Sequence, residues 1–344
     1  MITRDDSVGR YHRQMLLPAI GVAGQERLRQ GRVCVLGVGA LGSQAAMLLA
    51  RAGVGFLRLV DRDVLDWTNL QRQVLYEEAD VEAGLPKAVA AARALARIDR
   101  SLVVEPVVMD VDATSIERLI ADVDLILDGS DNFELRYLLN DAALEFGKPW
   151  VYGGAIGTLG TTWTIVPGET ACLRCLFPDP PPPGSFPTCE TAGVLGPATA
   201  LVGALQASEA IKVLVGDVAH VNRTLVTVDL WTLEVGRVSV PRRSDCPACV
   251  RGERRFLQQR APSRTVTLCG RDAVQVVVHP RVTLDLAALA QRLALIGPVS
   301  HNQYLIRFQA DGYELTVFPD GRAIVRGTTD AALARALYAR YIGM

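Results

Sequence analysis

The stretch Arg32-Val-Cys-Val-Leu-Gly37-Val-Gly39-Ala-Leu-Gly42 carries a short apolar run into three glycines, and a helix is predicted over residues 43–51. Glycines permit a tight turn and let a phosphate approach the backbone, while a helix N-terminus offers unpaired N–H groups to the anion. Asp61 ends the next apolar strand, where a carboxylate accepts hydrogen bonds from ribose hydroxyls. Gly37, Gly39, Gly42 and Asp61 therefore predict a nucleotide site. By itself this motif fits an NAD dehydrogenase as well as an ATP enzyme.

Outward from this stretch, predicted strands and helices alternate along the chain. This alternation predicts a doubly wound, mostly parallel α/β sheet, Rossmann-like, with helices on both faces. From about residue 161 the pattern is less regular. The predicted strands cover residues 32–36, 55–60, 102–108, 123–127, 224–229 and 234–240, and the predicted helices cover residues 43–51, 87–98, 115–120, 133–146 and 194–215.

A domain boundary is predicted in residues 251–264, where charged side chains are dense and apolar periodicity stops. We expect one large domain over residues 1–250 and a small α+β domain over residues 265–344, whose role is left open. About 80 residues suffice for an independent domain of this kind.

The composition excludes some classes of partner. The chain has 344 residues, 36 basic and 37 acidic side chains, and a formal net charge of −1. No global field draws it to nucleic acid or to an anionic membrane, so we expect neither partner. The start has no signal-peptide core, and no apolar run approaches the ~18 residues that span a bilayer. A cytoplasmic protein is the expectation.

A second group of polar residues follows the glycine motif in a fixed order. Asn69, Arg72 and Gln73 come soon after Asp61, and Lys87 opens a predicted helix after Pro86. These positions lie at loops or helix starts near the carboxyl edge of the predicted sheet, where open α/β folds place ligands. A triphosphate carries more charge than a dinucleotide bridge and favours arginine, lysine and a metal ion. The pattern therefore favours ATP.

Asp131 follows the fourth predicted strand in Asp128-Gly-Ser-Asp-Asn132. Its carboxylate suits Mg²⁺, a hard cation that prefers oxygen ligands. The simpler reading is that Asp131 caps the helix that begins near residue 133. Likewise, Arg72 and Lys87 taken singly read as solvated charges.

With these motifs in order, the chain resembles the ThiF/MoeB/HesA family of adenylating enzymes, relatives of the ubiquitin-activating enzymes. The resemblance covers about residues 8–250 and includes the segments 10–14, 188–197 and the paired CxxC sites. It implies ATP·Mg²⁺ binding, a homodimer and a small carrier protein ending in Gly-Gly. Carried over by position, it implies ribose binding by Asp61, phosphate binding by Asn69, Arg72 and Lys87, with Gln73 in the same nucleotide-binding motif, Mg²⁺ binding by Asp131, and contact of Arg13 with the ATP of the partner subunit.

Four of the seven cysteines form two CxxC pairs. Four thiolates are what a closed tetrahedral zinc site requires, and because no position is left for water the role is structural. The predicted zinc ligands are Cys172, Cys175, Cys246 and Cys249. Buried free thiols are the competing reading. Cys34 lies inside the first predicted strand and is expected to pack in the core.

Cys189 is the cysteine of the matched 188–197 motif that the zinc set does not use. If the following helix begins near Thr191 or Ala192, its N-terminus would favour the thiolate. A thiolate there would attack the carrier adenylate, giving a thioester and releasing AMP, or would join a disulfide with the thiocarboxylated carrier, a two-electron oxidation that needs an external oxidant. The alternative is a packing role, because adenylation itself needs no thiol.

The predicted function is therefore ATP-dependent adenylation of the C-terminal Gly-Gly carboxylate of a ubiquitin-like sulfur carrier, in a thiamine, molybdopterin or tRNA-thiolation type of pathway. Two alternatives stay open at this point. One is adenylation of another small-molecule or peptide carboxylate, and the other is a non-catalytic subunit that docks a carrier. The retained charged residues Arg72, Lys87 and Asp131 argue against the second, because a scaffold has no use for them.

Overall fold

A computed structural model describes residues 7–181, 189–259, 264–268, 272–278 and 282–343. The described residues divide into two compact units. The larger unit comprises the described residues up to 189 together with 193–259, and the smaller comprises 190–192 together with the described residues from 264 onward.

The larger unit contains one eight-stranded sheet. Its strands are β1 (Arg32–Leu36), β2 (Phe56–Asp61), β3 (Val103–Val108), β4 (Leu125–Asp128), β5 (Trp150–Ile156), β6 (Leu159–Ile165), β7 (Thr224–Asp229) and β8 (Glu234–Ser239). Their order across the sheet is β3-β2-β1-β4-β5-β6-β7-β8. The pairs from β3 to β5 are parallel and those from β5 to β8 are antiparallel. The predicted mostly parallel α/β fold is confirmed.

Helices connect and cover these strands. They are α1 (Ser7–Met15), α2 (Gly21–Gln30), α3 (Ala40–Ala52), α4 (Glu78–Glu82), α5 (Lys87–Ile98), α6 (Ile116–Ile120), α7 (Phe133–Glu145), α8 (Leu173–Leu176), α10 (Gly196–Leu214) and α11 (Arg255–Gln258). A one-turn helix, α9 (Cys189–Ala192), has its first residue in the larger unit and the other three in the smaller. Two 3-10 turns, Trp67–Asn69 and Val218–His220, complete the unit. In the described ranges, no helix combines the length and the apolarity that crossing a membrane requires.

The sheet brings the ends of three parallel strands to one edge. Leu36 at the end of β1 is in register with Val60 of β2 on one side and Asp128 of β4 on the other. Strand order reverses at β1, since β2 and β3 extend to one side and β4 to the other. Ligands of open α/β sheets bind outside the carboxyl ends of the strands at such a switch point. The site is expected at this edge.

The turn after β1 requires glycine at two positions. Gly37 has a φ of +88°, which strains any residue with a side chain. A Cβ at Gly42 would lie 2.0 Å from the Gly37 carbonyl oxygen, so only glycine lets α3 begin this close to the strand.

Strand β5 was not expected from the sequence. Its Gly153 and Gly154 weaken the strand pattern, because glycine is depleted in strand interiors. The structure shows why Gly153 stands there: a Cβ would lie 2.5 Å from Gln206 Nε2 on α10. Close packing of a helix side chain on the sheet therefore masks the strand signal.

The smaller unit is an antiparallel sheet with two helices. Its elements are β9 (Arg264–Leu268), β10 (Ala273–Val277), α12 (Leu286–Leu293), β11 (Val299–His301), β12 (Ile306–Ala310), β13 (Tyr313–Val317), β14 (Ala323–Arg326) and α13 (Ala331–Tyr341). The strand order is β11-β12-β13-β14-β10-β9. Asp285 and Asp330 cap the two helices through their side chains. This arrangement confirms the α+β class expected for the C-terminal segment.

Candidate active site and metal centre

The glycine turn is held by the carboxylate at the end of β2. Asp61 is buried, and its two oxygens accept hydrogen bonds from the backbone N–H groups of Val38 (2.7 Å) and Asp63 (2.8 Å). Burial raises the pKa of Asp61, while the Lys87 ammonium opposes that rise. Each carboxylate oxygen can accept more than one hydrogen bond, so this arrangement is compatible with ribose binding.

Gly39 lies at an open position of the turn. It is the N-cap residue of α3, and apart from chain neighbours a Cβ there would meet only Gln73 Nε2, at 3.9 Å. Packing within the protein therefore does not explain the absence of a side chain. An open backbone position of this kind leaves room for a ligand to approach the peptide.

Lys87 begins α5 and is buried beside the same strand end. Its ammonium is 2.9 Å from Asp63 Oδ2, and its backbone N–H donates to the Asp63 carbonyl (3.0 Å). Asp63 is thus attached both to Asp61 and to Lys87. Sequence reasoning missed Asp63, although its position two residues after the strand-ending Asp61 was an available signal.

Arg62 is a second residue that the sequence reasoning missed. Burial disfavours its charge, but the carboxylates Asp110, Asp63, Asp131 and Asp61 outweigh that effect and raise its pKa above the usual range. Asp131 also acts on the buried Arg136. The predicted metal ligand therefore lies within electrostatic reach of the residues that follow β2.

Asn69, Arg72 and Gln73 lie on one turn after β2. Asn69 is buried, and its Oδ1 accepts the Asp66 N–H (3.1 Å), which closes the short helical turn. Arg72 is half-buried and donates to the Thr68 carbonyl (2.8 Å).

Gln73 projects toward the glycine turn. Its side chain is buried, and its Oε1 has no hydrogen-bond partner among the described residues. A buried unpaired carbonyl oxygen is costly, so its presence beside Gly39 is consistent with a ligand donor at this position.

Asp131 is exposed on the loop between β4 and α7, and the capping role offered for it was wrong. Asn132 is the N-cap of α7, since its side chain accepts the Leu135 N–H (2.9 Å). Arg136 holds the loop by donating to Asp128 Oδ2 (3.0 Å) and to the Ser130 carbonyl (2.9 Å). The carboxylate of Asp131 is therefore left at the sheet edge without a capping function.

Arg13 is placed by the docking of α1. Tyr11 donates to Asp99 Oδ2 (2.7 Å), Arg10 pairs with the same carboxylate (2.7 Å), and Gln14 donates to the Ala52 carbonyl (2.9 Å). Arg13 is exposed and has no bonding partner among the described residues. The structure of a single chain does not bring it together with the other predicted site residues.

The four paired cysteines converge although two segments supply them. Their sulfurs all lie within 4.8 Å of one another, with Cys172–Cys246 at 3.6 Å and Cys175–Cys249 at 3.5 Å. In a zinc tetrathiolate with Zn–S near 2.3 Å, neighbouring sulfurs are about 3.8 Å apart. Burial raises the pKa of Cys172 and Cys175, so thiolates at these two positions require a cation to offset their desolvation. At Cys246, burial is outweighed by the N–H groups of Cys249 and Ala248, and the pKa is lowered. The residues present fit zinc.

Comparison with known proteins identifies the chain's family. The model of the ThiF family matches residues 11–248. The chain belongs to the ThiF family. It is 42% identical over 338 residues to a Bacillus subtilis protein named sulfur carrier protein ThiS adenylyltransferase, covering 97% of this chain and 99% of that one. A Thermus thermophilus sulfur carrier protein adenylyltransferase is 41% identical, covering 71% of this chain and 91% of that one.

Solved structures support the same fold. Escherichia coli MccB with ATP has a TM-score of 0.62 at 23% identity, covering 71% of this chain and 75% of that chain.

The segment matched by the ThiF family contains every predicted nucleotide-site residue. It also contains three of the four cluster cysteines, and Cys249 lies just beyond its end.

Cys189 also lies in the ThiF family segment, but the condition under which a helix N-terminus would favour its thiolate is not met. The long helix predicted over residues 194–215 is present as α10 and does not begin near Thr191 or Ala192. Cys189 instead opens the one-turn helix α9, and α10 begins at Gly196 after its N-cap Leu195. One turn aligns few peptide dipoles, so the proposed lowering of the thiol pKa by a long helix loses its basis. The Cys189 side chain lies outside the described part of the structure.

Proposed function

We propose that this chain uses ATP to adenylate the C-terminal carboxylate of a ubiquitin-like sulfur carrier that ends in Gly-Gly. The observation that carries the proposal is the bonded series from Val38 through Asp61 and Asp63 to Lys87, which joins a phosphate-type glycine turn to a buried cation. The names of the Bacillus and Thermus relatives support the carrier as the acceptor. Membership of the ThiF family supports the use of ATP.

Adenylation brings two anions together. A carboxylate oxygen of the carrier attacks the α-phosphorus, and the bond from that phosphorus to the pyrophosphate oxygen breaks. Cationic groups and oriented N–H donors must lower the repulsion where charge develops. No protein nucleophile is required for this step.

The chain supplies such groups at the edge of the sheet. The turn formed by Gly37, Gly39 and Gly42 would bind phosphate. Its donors would be the N–H groups at Gly39 and the start of α3, because the Gly37 N–H is donated to the Val60 carbonyl (2.8 Å). Asp61 would accept from the ribose. The phosphates would be bound by Asn69, Arg72 and Lys87. Gln73 would form a further part of the nucleotide site. The open position at Gly39 and the unpaired Gln73 Oε1 support a ligand here.

Asp131 is proposed as the Mg²⁺ ligand. It is exposed, has no capping role and lies within electrostatic reach of Arg62, so its oxygen is available to a hard cation at the phosphate site. Bound there, the ion would neutralise charge on the phosphates.

A structural Zn²⁺ is proposed at the cysteine cluster, where it would link two distant segments. Its ligands would be Cys172, Cys175, Cys246 and Cys249, and a site of reduced thiols suits the cytoplasm.

We propose a homodimer in which Arg13 serves the partner's site. Residues 1–250 are proposed as the adenylation domain and residues 265–344 as a second domain.

The test is ATP–pyrophosphate exchange with carriers of the thiamine, molybdopterin and tRNA-thiolation types. Exchange is expected with at least one carrier and none with its Gly-Gly-truncated form. Asp131→Ala is expected to abolish exchange with the fold intact, because it removes a metal ligand and no core contact.

Glu134→Ala is the matched control, since it removes an exposed acidic side chain from the adjoining first turn of α7. It should retain exchange. Full exchange by Asp131→Ala would refute the Mg²⁺ assignment, and no exchange by the wild type with any carrier would refute the carrier function.

A further inference from the structure

Tyr76 contacts the glycine turn through its side chain. Its ring is buried, and its hydroxyl donates to the Val38 carbonyl oxygen at 2.5 Å. The Val38 N–H is in turn donated to Asp61 Oδ2 at 2.7 Å. Both polar groups of Val38 are therefore fixed by side chains that lie far from it in sequence.

The orientation of Val38 decides where the next N–H group points. In a trans peptide the carbonyl of one residue and the N–H of the next point in opposite directions. When Tyr76 holds the Val38 carbonyl, the Gly39 N–H is directed away from Tyr76. The described residues supply no acceptor for that N–H, and the Gly39 position is open as described above.

Tyr76 also connects two segments of the proposed site. It follows Gln73 by three residues on the segment that carries Arg72, and its hydroxyl bonds to the turn between β1 and α3. Burial, followed by the charges of Asp61 and Asp63, raises the pKa of Tyr76 well above its usual value. The phenol therefore stays a hydrogen-bond donor throughout the neutral range.

We propose that Tyr76 is a positioning residue for the nucleotide phosphate, because its hydroxyl fixes the Val38 peptide so that the Gly39 amide and the start of α3 face the phosphate. This inference rests on the proposed function. It assigns to Tyr76 no contact with the nucleotide itself.

The test is Tyr76→Phe, which keeps the ring and removes the one hydroxyl. Dissociation constants for ATP, AMP and adenosine are measured by calorimetry, and KM for ATP and kcat are measured by pyrophosphate exchange. Loss of one buried hydrogen bond corresponds to a factor of about five to ten in affinity. ATP and AMP are therefore expected to bind about five- to tenfold more weakly, whereas adenosine, which has no phosphate, is unaffected. KM should rise by the same factor at constant kcat.

Tyr338→Phe is the matched control. Tyr338 is a buried tyrosine of the C-terminal unit whose hydroxyl donates to the Gly321 carbonyl at 2.6 Å. Its loss should lower the midpoint of urea unfolding without changing ATP affinity. Equal weakening of ATP and adenosine by Tyr76→Phe, or unchanged ATP affinity, overturns the inference. The same weakening of ATP by Tyr338→Phe does so as well.

A wild type that binds no ATP would remove the proposed function and this inference with it. ATP binding by the wild type with an unaltered Tyr76→Phe affinity would remove the inference alone. If Tyr76→Phe does not fold, hydrogen exchange on the wild type decides the point. AMP should protect the amides of residues 39–42 and adenosine should not, and equal protection by both refutes the role of the phosphate.

Discussion

Arg136→Met is expected to be among the most destabilising single changes in the larger unit. The guanidinium is buried and donates to Asp128 Oδ2 (3.0 Å), the Ser130 carbonyl (2.9 Å) and the Gly153 carbonyl (2.7 Å). Asp128 is fully buried. Its carboxylate also accepts hydrogen bonds from the backbone N–H and the hydroxyl of Ser130. Methionine has a similar length but removes the positive charge and every donor.

The magnitude follows from the carboxylate left behind. Removing one partner of a buried ion pair costs about 3–5 kcal/mol, because the other charge stays buried without compensation. The two orphaned carbonyl groups add to this cost. We expect a loss of about 3–5 kcal/mol in the free energy of unfolding, and weaker pyrophosphate exchange because the loop that carries Asp131 is no longer held.

Urea unfolding measures this loss. Arg93→Met is the matched control, since Arg93 is exposed on α5 with no bonding partner among the described residues, and its change should stay within about 0.5 kcal/mol. The double variant Asp128→Asn, Arg136→Met should lose less than the sum of the single variants, because the uncompensated charge is gone. A loss below about 1 kcal/mol for Arg136→Met would refute the reasoning.

Three further predictions concern the cysteine cluster, Arg13 and Cys189. Protein purified without chelator should contain one zinc per chain, and Cys175→Ser should lose it while Cys34→Ala keeps it; zinc-free wild type would contradict the site. Inactive Arg13→Ala mixed with inactive Asp131→Ala should regain exchange in hybrid dimers, and no recovery despite proven subunit exchange would place Arg13 outside the partner's site. Cys189→Ala should form the carrier adenylate but transfer sulfur poorly, and normal transfer would leave Cys189 a packing role.

The parallel half of the fold was predictable because its signals are local. Each of these signals lies within a few residues of the structure that it predicts. They are the apolar run of β1, the glycines after it and Asp61 at the end of β2. Strand β5 was not predictable in the same way. The glycine at position 153 is explained by close packing against Gln206, which is 53 residues further along the chain. Long-range packing overrides local propensity at such positions.

The helix predicted over residues 194–215 is present as α10, and its start lies two residues later than predicted. An apolar run continues through Val194 and Leu195, so periodicity alone does not show where the helix begins. Gly196-Pro197 carried the better signal, because proline is favoured in the first turn of a helix.

The sequence indicates which residue types lie near the sheet edge, but it does not show how they pair. Lys87 was assigned as a cation at the sheet edge, and the structure adds that it is bonded to Asp63, 24 residues earlier. The bond from Tyr76 to Val38 spans 38 residues and leaves no periodic trace in the sequence. Such contacts form because neighbouring parallel strands end side by side at the switch point.

The balance of charge at that edge gives the separate proposals a common reason. Four carboxylates act on Arg62, and the nearby Lys87 is already paired with one of them, Asp63. The edge of the sheet therefore does not offer a surplus of positive charge to a triphosphate. Adenylation at this place requires added cations, which Mg²⁺ on Asp131 and an arginine from a second subunit would provide. The exposed Arg13 on α1 suits the second role because its neighbours Tyr11 and Arg10 dock the helix and leave it outward.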